Sequence, residues 1–250
     1  VALLLVTTGC ATRVPPAQLG PVAADRPSFT ESPVVVPVGH SQLEAGQTFT
    51  REAGQASFAL GEALVRTGLT SWLELRTALN SYAIEQEGTG TVAGFEDAGV
   101  AAKLILQPGR GAPSWRPALA VIAGTSLPTG TTRIAERQLL PSVKLLSAWD
   151  VSERFVLTTN LNWGHDAEEG RRVDEWSASG SLDVGLTERV GGYVEVYGVG
   201  RRLGVVGRRA YVNAGTSWQA TPALQLDLRV GTRAGTAGGF FTGVGLTRRW

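Results

Sequence analysis

The stretch Leu224-Gln225-Leu226-Asp227-Leu228-Arg229-Val230 alternates apolar and polar residues without a break. In an extended chain successive side chains point to opposite faces, so the three Leu and Val230 share one face and Gln225, Asp227 and Arg229 share the other. The same pattern spreads outward from this segment. Val212, Ala214, Thr216 and Trp218 oppose Asn213, Gly215, Ser217 and Gln219. Trp176, Ala178, Leu182, Val184 and Leu186 oppose Ser177, Ser179, Ser181 and Asp183. Phe155, Leu157, Leu161 and Trp163 oppose Thr158, Asn160 and Asn162. The pattern predicts twelve strands, near 41–51, 57–68, 72–85, 96–107, 116–127, 138–149, 154–164, 174–186, 190–201, 209–219, 223–233 and 240–250. These lengths fit the roughly 9–11 residues of a tilted membrane strand, while no apolar run approaches the roughly 20 residues a spanning helix needs.

The connections differ at the two ends of the strands. Leu69-Thr-Ser-Trp-Leu73, Val151-Ser-Glu-Arg-Phe155, Leu186-Thr-Glu-Arg-Val190 and Ala220-Thr-Pro-Ala-Leu224 share one plan: apolar, Thr or Ser, two variable residues, then an apolar residue opening the next strand. Ser152, Thr187 and Thr221 recur at intervals of 35 and 34 residues, the length of a two-strand unit. The intervening connections read as longer and polar, as at Gly164–Val173, and the segment Gln107–Trp115 departs from the plan. Short turns at one end and longer loops at the other are how outer-membrane barrels are built. Trp72, Trp115, Trp149, Trp218 and Trp250, with Phe155, fall at strand ends on the short-turn side, and Trp163 and Trp176 fall beside the polar loop. That placement predicts two collars of interface aromatics. A soluble β-sandwich would bury its Trp in mid-strand.

A soluble sandwich or lipocalin-like barrel also alternates, so other features must decide. The polar faces here carry Gly, Ser, Thr and Asn rather than the Lys and Glu of a water-washed surface. Twelve evenly spaced strands close without an edge. The last strand, Phe240–Trp250, ends on an aromatic residue and has Gly245 in the position expected of an assembly signal, although Arg248 stands where an apolar residue is usual. The fold expected is therefore an all-β, antiparallel, up-and-down transmembrane barrel in the outer membrane. Its expected partners are lipid, the barrel-assembly machinery and a small-molecule solute. A formal net charge of +1 lacks the bias that nucleic-acid binding would need.

Before the barrel, residues 1–11 read as the remnant of an export signal, with the apolar run Val1–Val6. Gly9-Cys10 suits either lipoprotein processing, with Cys10 lipidated, or ordinary signal cleavage. A lone Cys excludes a disulfide framework. Residues 12–40 are Pro-rich, and within them 25–40 carry Phe29 and Val34-Val-Val36 on a polar background. Two places are open to that segment: a plug entering the lumen from the periplasmic side, or a periplasmic tether.

Residues 25–47, from Asp25-Arg-Pro-Ser-Phe29 through Val34-Val-Val-Pro-Val-Gly-His-Ser-Gln-Leu-Glu44, resemble the opening signature of the outer-membrane transporter family named for the MetA pathway of phenol degradation. The resemblance continues through Arg66–Arg76, Glu96-Asp97 to Lys103, and Pro117–Gly130 with its Leu127-Pro-Thr-Gly turn. It implies an outer-membrane location and passage of small compounds, aromatic or apolar ones among them.

With apolar positions facing lipid, the lumen receives Glu44, Glu62, Arg66, Glu74, Arg76, Lys103, Lys144, Asp183, Glu195, Asp227 and Arg229, with Tyr193 and Tyr197 as aromatic lining. Acids and bases nearly balance. They either filter solutes or pair across strands and stiffen the interior. Two further classes stand beside a transporter: a barrel that binds or supports without transport, and a barrel-embedded hydrolase. The hydrolase would need a positioned His, and the sequence offers only His40 and the pair His165-Asp166. The reading is therefore of a non-enzyme without cofactor or metal.

Overall fold

The computed structural model describes residues 19–52, 54–168, 170–201, 209–235 and 239–250, so the export signal, Cys10 and residues 12–18 lie outside the described residues. The strands are β1 (Ser41–Glu52), β2 (Gln55–Gly68), β3 (Leu73–Ala78), β4 (Tyr82–Glu87), β5 (Gly90–Phe95), β6 (Ala98–Gln107), β7 (Ala118–Leu127), β8 (Pro141–Asp150), β9 (Phe155–Glu168), β10 (Arg171–Gly185), β11 (Val190–Gly200), β12 (Arg209–Thr221), β13 (Leu224–Arg233) and β14 (Phe240–Arg249). Strand β2 pairs first with β3 and then with β4, while β3 pairs with β6 and β4 with β5. β3 with β4, and β5 with β6, are therefore each one stave interrupted in the middle. The fourteen segments thus make twelve staves, and β1 pairs with both β2 and β14 to close the barrel.

Three expectations need correction. The segment expected as one strand at 72–85 breaks at Leu79-Asn80-Ser81, because side chains replace the ladder there. Asn80 donates to the Glu96 carbonyl at 2.7 Å and to Thr129 Oγ1 at 2.8 Å. The stave expected to begin at 96 starts at Gly90 and bends at Glu96-Asp97. The polar stretch 164–173 is not a loop but a continuation of the β9–β10 ladder, which runs to the pair Arg171↔Glu168. Trp163 and Trp176 face each other across that ladder, and the rungs beyond them carry His165, Asp166, Asp174 and Glu175 past the aromatic level.

The repeated turn plan has a simple cause. The Thr187 hydroxyl accepts hydrogen bonds from the Arg189 and Val190 amides at 3.2 and 2.9 Å. Ser152 does the same for Arg154 and Phe155, and Thr70 and Thr221 each take the amide two residues on. A hydroxyl that closes a backbone turn explains why Thr or Ser recurs there.

Burial runs opposite to that of a soluble protein. On β11, Glu195 is 2% exposed, while its neighbours Val194 and Val196 are 57% and 59% exposed. Leu226, Leu228 and Val230 likewise point outward, between buried Gln225 and Asp227. Trp72, Trp115, Trp218 and Trp250 stand exposed near the short turns, and Trp149 and Phe155 flank the turn at 151–154. An exterior of this kind is stable only against hydrocarbon.

Candidate functional site

The described part of the N-terminal segment lies inside the barrel. It enters beside the short turns, where Arg249 donates to the Gly20 carbonyl. It climbs to Phe29 and Thr30, then returns to the same end, where Val38 bridges Gly68 just before β1. The chain can pass so close to β2 because residue 68 has no side chain. A Cβ there would meet the Val36 carbonyl oxygen at 2.1 Å.

A buried charge network fixes this hairpin to the wall formed by β1, β2, β3 and β6. Arg66 makes a forked pair with Glu74, Nε to Oε1 at 2.8 Å and Nη2 to Oε2 at 3.0 Å, and donates from Nη1 to Glu44 at 2.7 Å. Its remaining hydrogens go to the Ala23 and Val34 carbonyls. Glu44 accepts the Asp25 and Arg26 amides, and Glu74 accepts the Val36 amide at 2.7 Å. Asp25 sits between Arg76 and Lys103, at 2.8 and 2.9 Å. Lys103 also donates to the Ser32 and Val34 carbonyls. Lys144, on β8, reaches Glu31 at 2.8 Å. Four acids (Asp25, Glu31, Glu44, Glu74) thus meet four bases (Arg66, Arg76, Lys103, Lys144). Burial opposes ionisation of the two plug acids, yet Arg66, Lys103 and Arg76 hold Asp25 well below the usual carboxylate range. Lys144 and Arg76 likewise bring Glu31 down to about 2 against the same penalty.

The opposite wall holds the tip most closely. Glu195 accepts the Phe29 and Thr30 amides at 3.0 and 2.6 Å, together with the Thr30 hydroxyl and the Asn213 amide. Phe29 stacks on Tyr197 at 4.3 Å, and Tyr197 stacks on Tyr211 at 4.8 Å. Arg229 donates to the Pro27 carbonyl and to Thr48, and lies 5.7 Å from the Phe241 ring. Glu62 and Asp227 each lie 3.6 Å from Arg26. Asp183 and Tyr193 line a cavity at the turn end.

Among the residues expected in the lumen, Glu44, Arg66, Glu74, Arg76 and Lys103 come together directly, and Lys144 joins them through Glu31. Sequence reading missed the plug's own groups, Asp25, Arg26, Thr30 and Glu31. It also missed Gln42, which binds both Glu44 and the Ala23 carbonyl. The only signal for these was their place within the resemblance at 25–47. The Leu127-Pro-Thr-Gly turn has a clear role: the Thr129 and Gly130 amides donate to Asp97, at 3.0 and 2.8 Å, and hold the outer edge of the bent stave. Of the two histidines, His40 is buried beside the short turns with Nδ1 on the Val38 carbonyl, while His165 faces Asp174 at the opposite end.

A closed barrel with an apolar belt, aromatic collars and a charged, occupied interior is a transmembrane β-barrel of the outer-membrane type. The chain belongs to the family described as MetA-pathway of phenol degradation, whose profile matches residues 24–250, the inserted N-terminal hairpin included. Among solved structures, an outer-membrane channel from Pseudomonas putida F1 superposes with a TM-score of 0.65 at 12% identity, over 87% of this chain and 97% of that one. The KdgM porin superposes with a TM-score of 0.54 at 10% identity, over 82% and 98%. At such identities the likeness is one of fold. Among curated proteins none matches the chain in sequence.

Proposed function

We propose that the protein is a passive outer-membrane channel for small compounds, aromatic or apolar ones among them, with residues 25–38 as a plug that narrows the lumen from the periplasmic end. The observation that carries this reading is the pairing of plug and space. A twelve-stave barrel is too wide for its own side chains to fill. Here a separate segment occupies it and still leaves a cavity of about 470 Å³ beside Glu31, Arg76 and Lys144. The family and the porin-type fold agree with transport, and the stack Phe29–Tyr197–Tyr211 suits aromatic solutes. A hydrolase is disfavoured, because His40 and His165 sit at opposite ends and neither addresses the lumen cavity. The test is conductance in planar bilayers and solute uptake into liposomes, comparing the intact chain with one lacking residues 25–39. A larger current on deletion is expected. Equal flux and equal barrel stability for the two forms would remove the plug from the account, and silence from both would remove the channel.

A further inference from the structure

The plug is fastened unevenly. Against β1, β2, β3 and β6 its anchoring carboxylates and bases are joined at 2.7–3.0 Å. Along the wall formed by β11 to β14, buried polar atoms find no hydrogen-bond partner among the described residues: Tyr193 Oη, Asn213 Oδ1, both Asp227 oxygens, Arg229 Nε and Thr247 Oγ1. Leaving such a group unpaired is costly, and proteins satisfy nearly all of them with their own atoms or with water. Outside the contacts of Glu195 and Arg229, the plug thus leaves polar groups of this wall unengaged.

Two cavities flank the plug. One of about 360 Å³ opens at the turn end, past exposed Glu153 and Arg154, and is lined by Asp183, Tyr193, Ser217 and Gln225. The other, of about 470 Å³, lies toward the bent staves. Arg26 and Ser28 line both, so the partition is one stretch of plug thick. Within it Arg26 is loosely held. Its amide is held by Glu44 at 3.0 Å, but the closest hydrogen bond of its guanidinium is to the Val244 carbonyl at 3.3 Å, its acidic neighbours Glu62 and Asp227 stand at 3.6 Å, and its Nε has no hydrogen-bond partner among the described residues. The guanidinium lies over Gly46 and Gly245, where a Cβ would come within 2.2 and 2.5 Å of it.

We propose that Arg26 is the selectivity-determining residue of an off-axis path that joins the two cavities past the plug, crossed when its side chain swings aside while the plug stays docked. The inference rests on the channel reading above. The class of solute follows from the groups at the partition. A cation meets Arg26, and an anion meets Glu62, Asp227 and Asp183. A small neutral compound with one hydroxyl, such as a phenol, can donate to Asp227 and accept from Arg26 Nε as it passes.

The experiment locks the plug and then changes Arg26. Thr30 Oγ1 and Ser179 Oγ stand 2.8 Å apart, so Thr30→Cys with Ser179→Cys can bridge the plug tip to β10; bridging is verified by mass. In this cross-linked background Arg26→Ala is expected to raise single-channel conductance several-fold, with folding checked by heat-modifiable gel mobility. Phenol is expected to block the ionic current of the Arg26 form more strongly than benzoate or benzylamine, and Arg26→Ala is expected to lose that distinction. If cross-linking abolished the gain from Arg26→Ala, the path would require the plug to leave, and the proposal would fail. Equal block by the three solutes would overturn the solute class. An Arg26→Ala protein that conducts like the parent, while deletion of 25–39 opens the pore, would sink this inference but leave the channel standing. Silence from the deletion as well would sink both.

Discussion

Arg66 on β2 and Glu74 on β3 meet edge to edge, with two parallel hydrogen bonds of 2.8 and 3.0 Å, and neither side chain is open to solvent. The same guanidinium reaches Glu44 on β1 and two plug carbonyls, so one residue joins three staves to the hairpin inside them. Arg66→Ala would leave Glu44 and Glu74 buried with fewer cations. Breaking a buried pair from one side typically costs about 3–5 kcal/mol. We expect the urea midpoint of the refolded protein, followed by Trp fluorescence, to fall accordingly. Arg66→Lys should recover only part of the loss, since an ammonium cannot make the fork.

Acidification should undock the plug before it unfolds the barrel. Asp25 and Glu31 have depressed pKa values only when docked, Glu31 at about 2 against an ordinary 4.5. A carboxylate lowered by docking stabilises the docked state fully above its ordinary value, and loses that contribution as pH falls through the docked one. Conductance should therefore hold steady from neutral pH to about 5 and rise progressively from about 4.5 toward 2. In Glu31→Gln the rise should be smaller, because one of the two protons is already accounted for. A flat profile across that window would separate docking from these acids.

Strand β13 shows how much of the fold could be read in advance. Its alternation named both faces correctly, because every residue from Leu224 to Val230 obeys one period. The break at Leu79-Asn80-Ser81 escaped because Ala78, Leu79, Tyr82 and Ile84 keep strand-like character across it. What interrupts the ladder there is a set of contacts with Thr129 and Thr131, more than thirty residues away. The network was half legible. Glu44, Arg66, Glu74, Arg76 and Lys103 could be assigned inward by parity, but their partner Asp25 lies in a segment with no period and hence no readable face. Glu195 misled in another way: its lumen position was clear, yet its partners are plug amides rather than a base.

The outward face offers a direct test of membrane embedding. Leu228 is exposed in the middle of β13, between inward Asp227 and Arg229. An Arg on the lipid face near the bilayer midplane costs about 2–4 kcal/mol. Leu228→Arg should therefore lower the folding free energy into phospholipid vesicles by that order. A neutral substitution such as Leu228→Ala should cost less. If Leu228→Arg folded as readily as the parent, this face would not be in hydrocarbon.

The short turns should each depend on one hydroxyl. Thr187 Oγ1 takes two amides. Thr187→Ala should lose about 1 kcal/mol, the usual net worth of such a bond, and Thr187→Ser should lose less. The measurement is again the urea midpoint. Glu188 and Arg189 occupy the variable positions of the same turn, so substitutions there should leave the midpoint unchanged.

Gly68 is where barrel and plug press closest, and a single methyl group there can tell the two apart. Its own strand neighbours have room: the Gly68 amide donates to the His40 carbonyl at 3.1 Å, and Gly39 donates back at 3.0 Å. A Cβ at 68 would instead strike the Val36 and Pro37 carbonyl oxygens, at 2.1 and 2.5 Å, and these belong to the returning limb of the plug. Backbone cannot step aside as a side chain can, so the limb must shift, taking the Val36 amide away from Glu74. Overpacking of this sort costs about 1–3 kcal/mol. We expect Gly68→Ala to keep a folded, heat-modifiable barrel while exposing residues 25–40 to added protease and raising conductance toward that of the deletion. Protection and current equal to the parent would mean that the plug is seated by its side-chain network, with the Val38–Gly68 bridge contributing nothing.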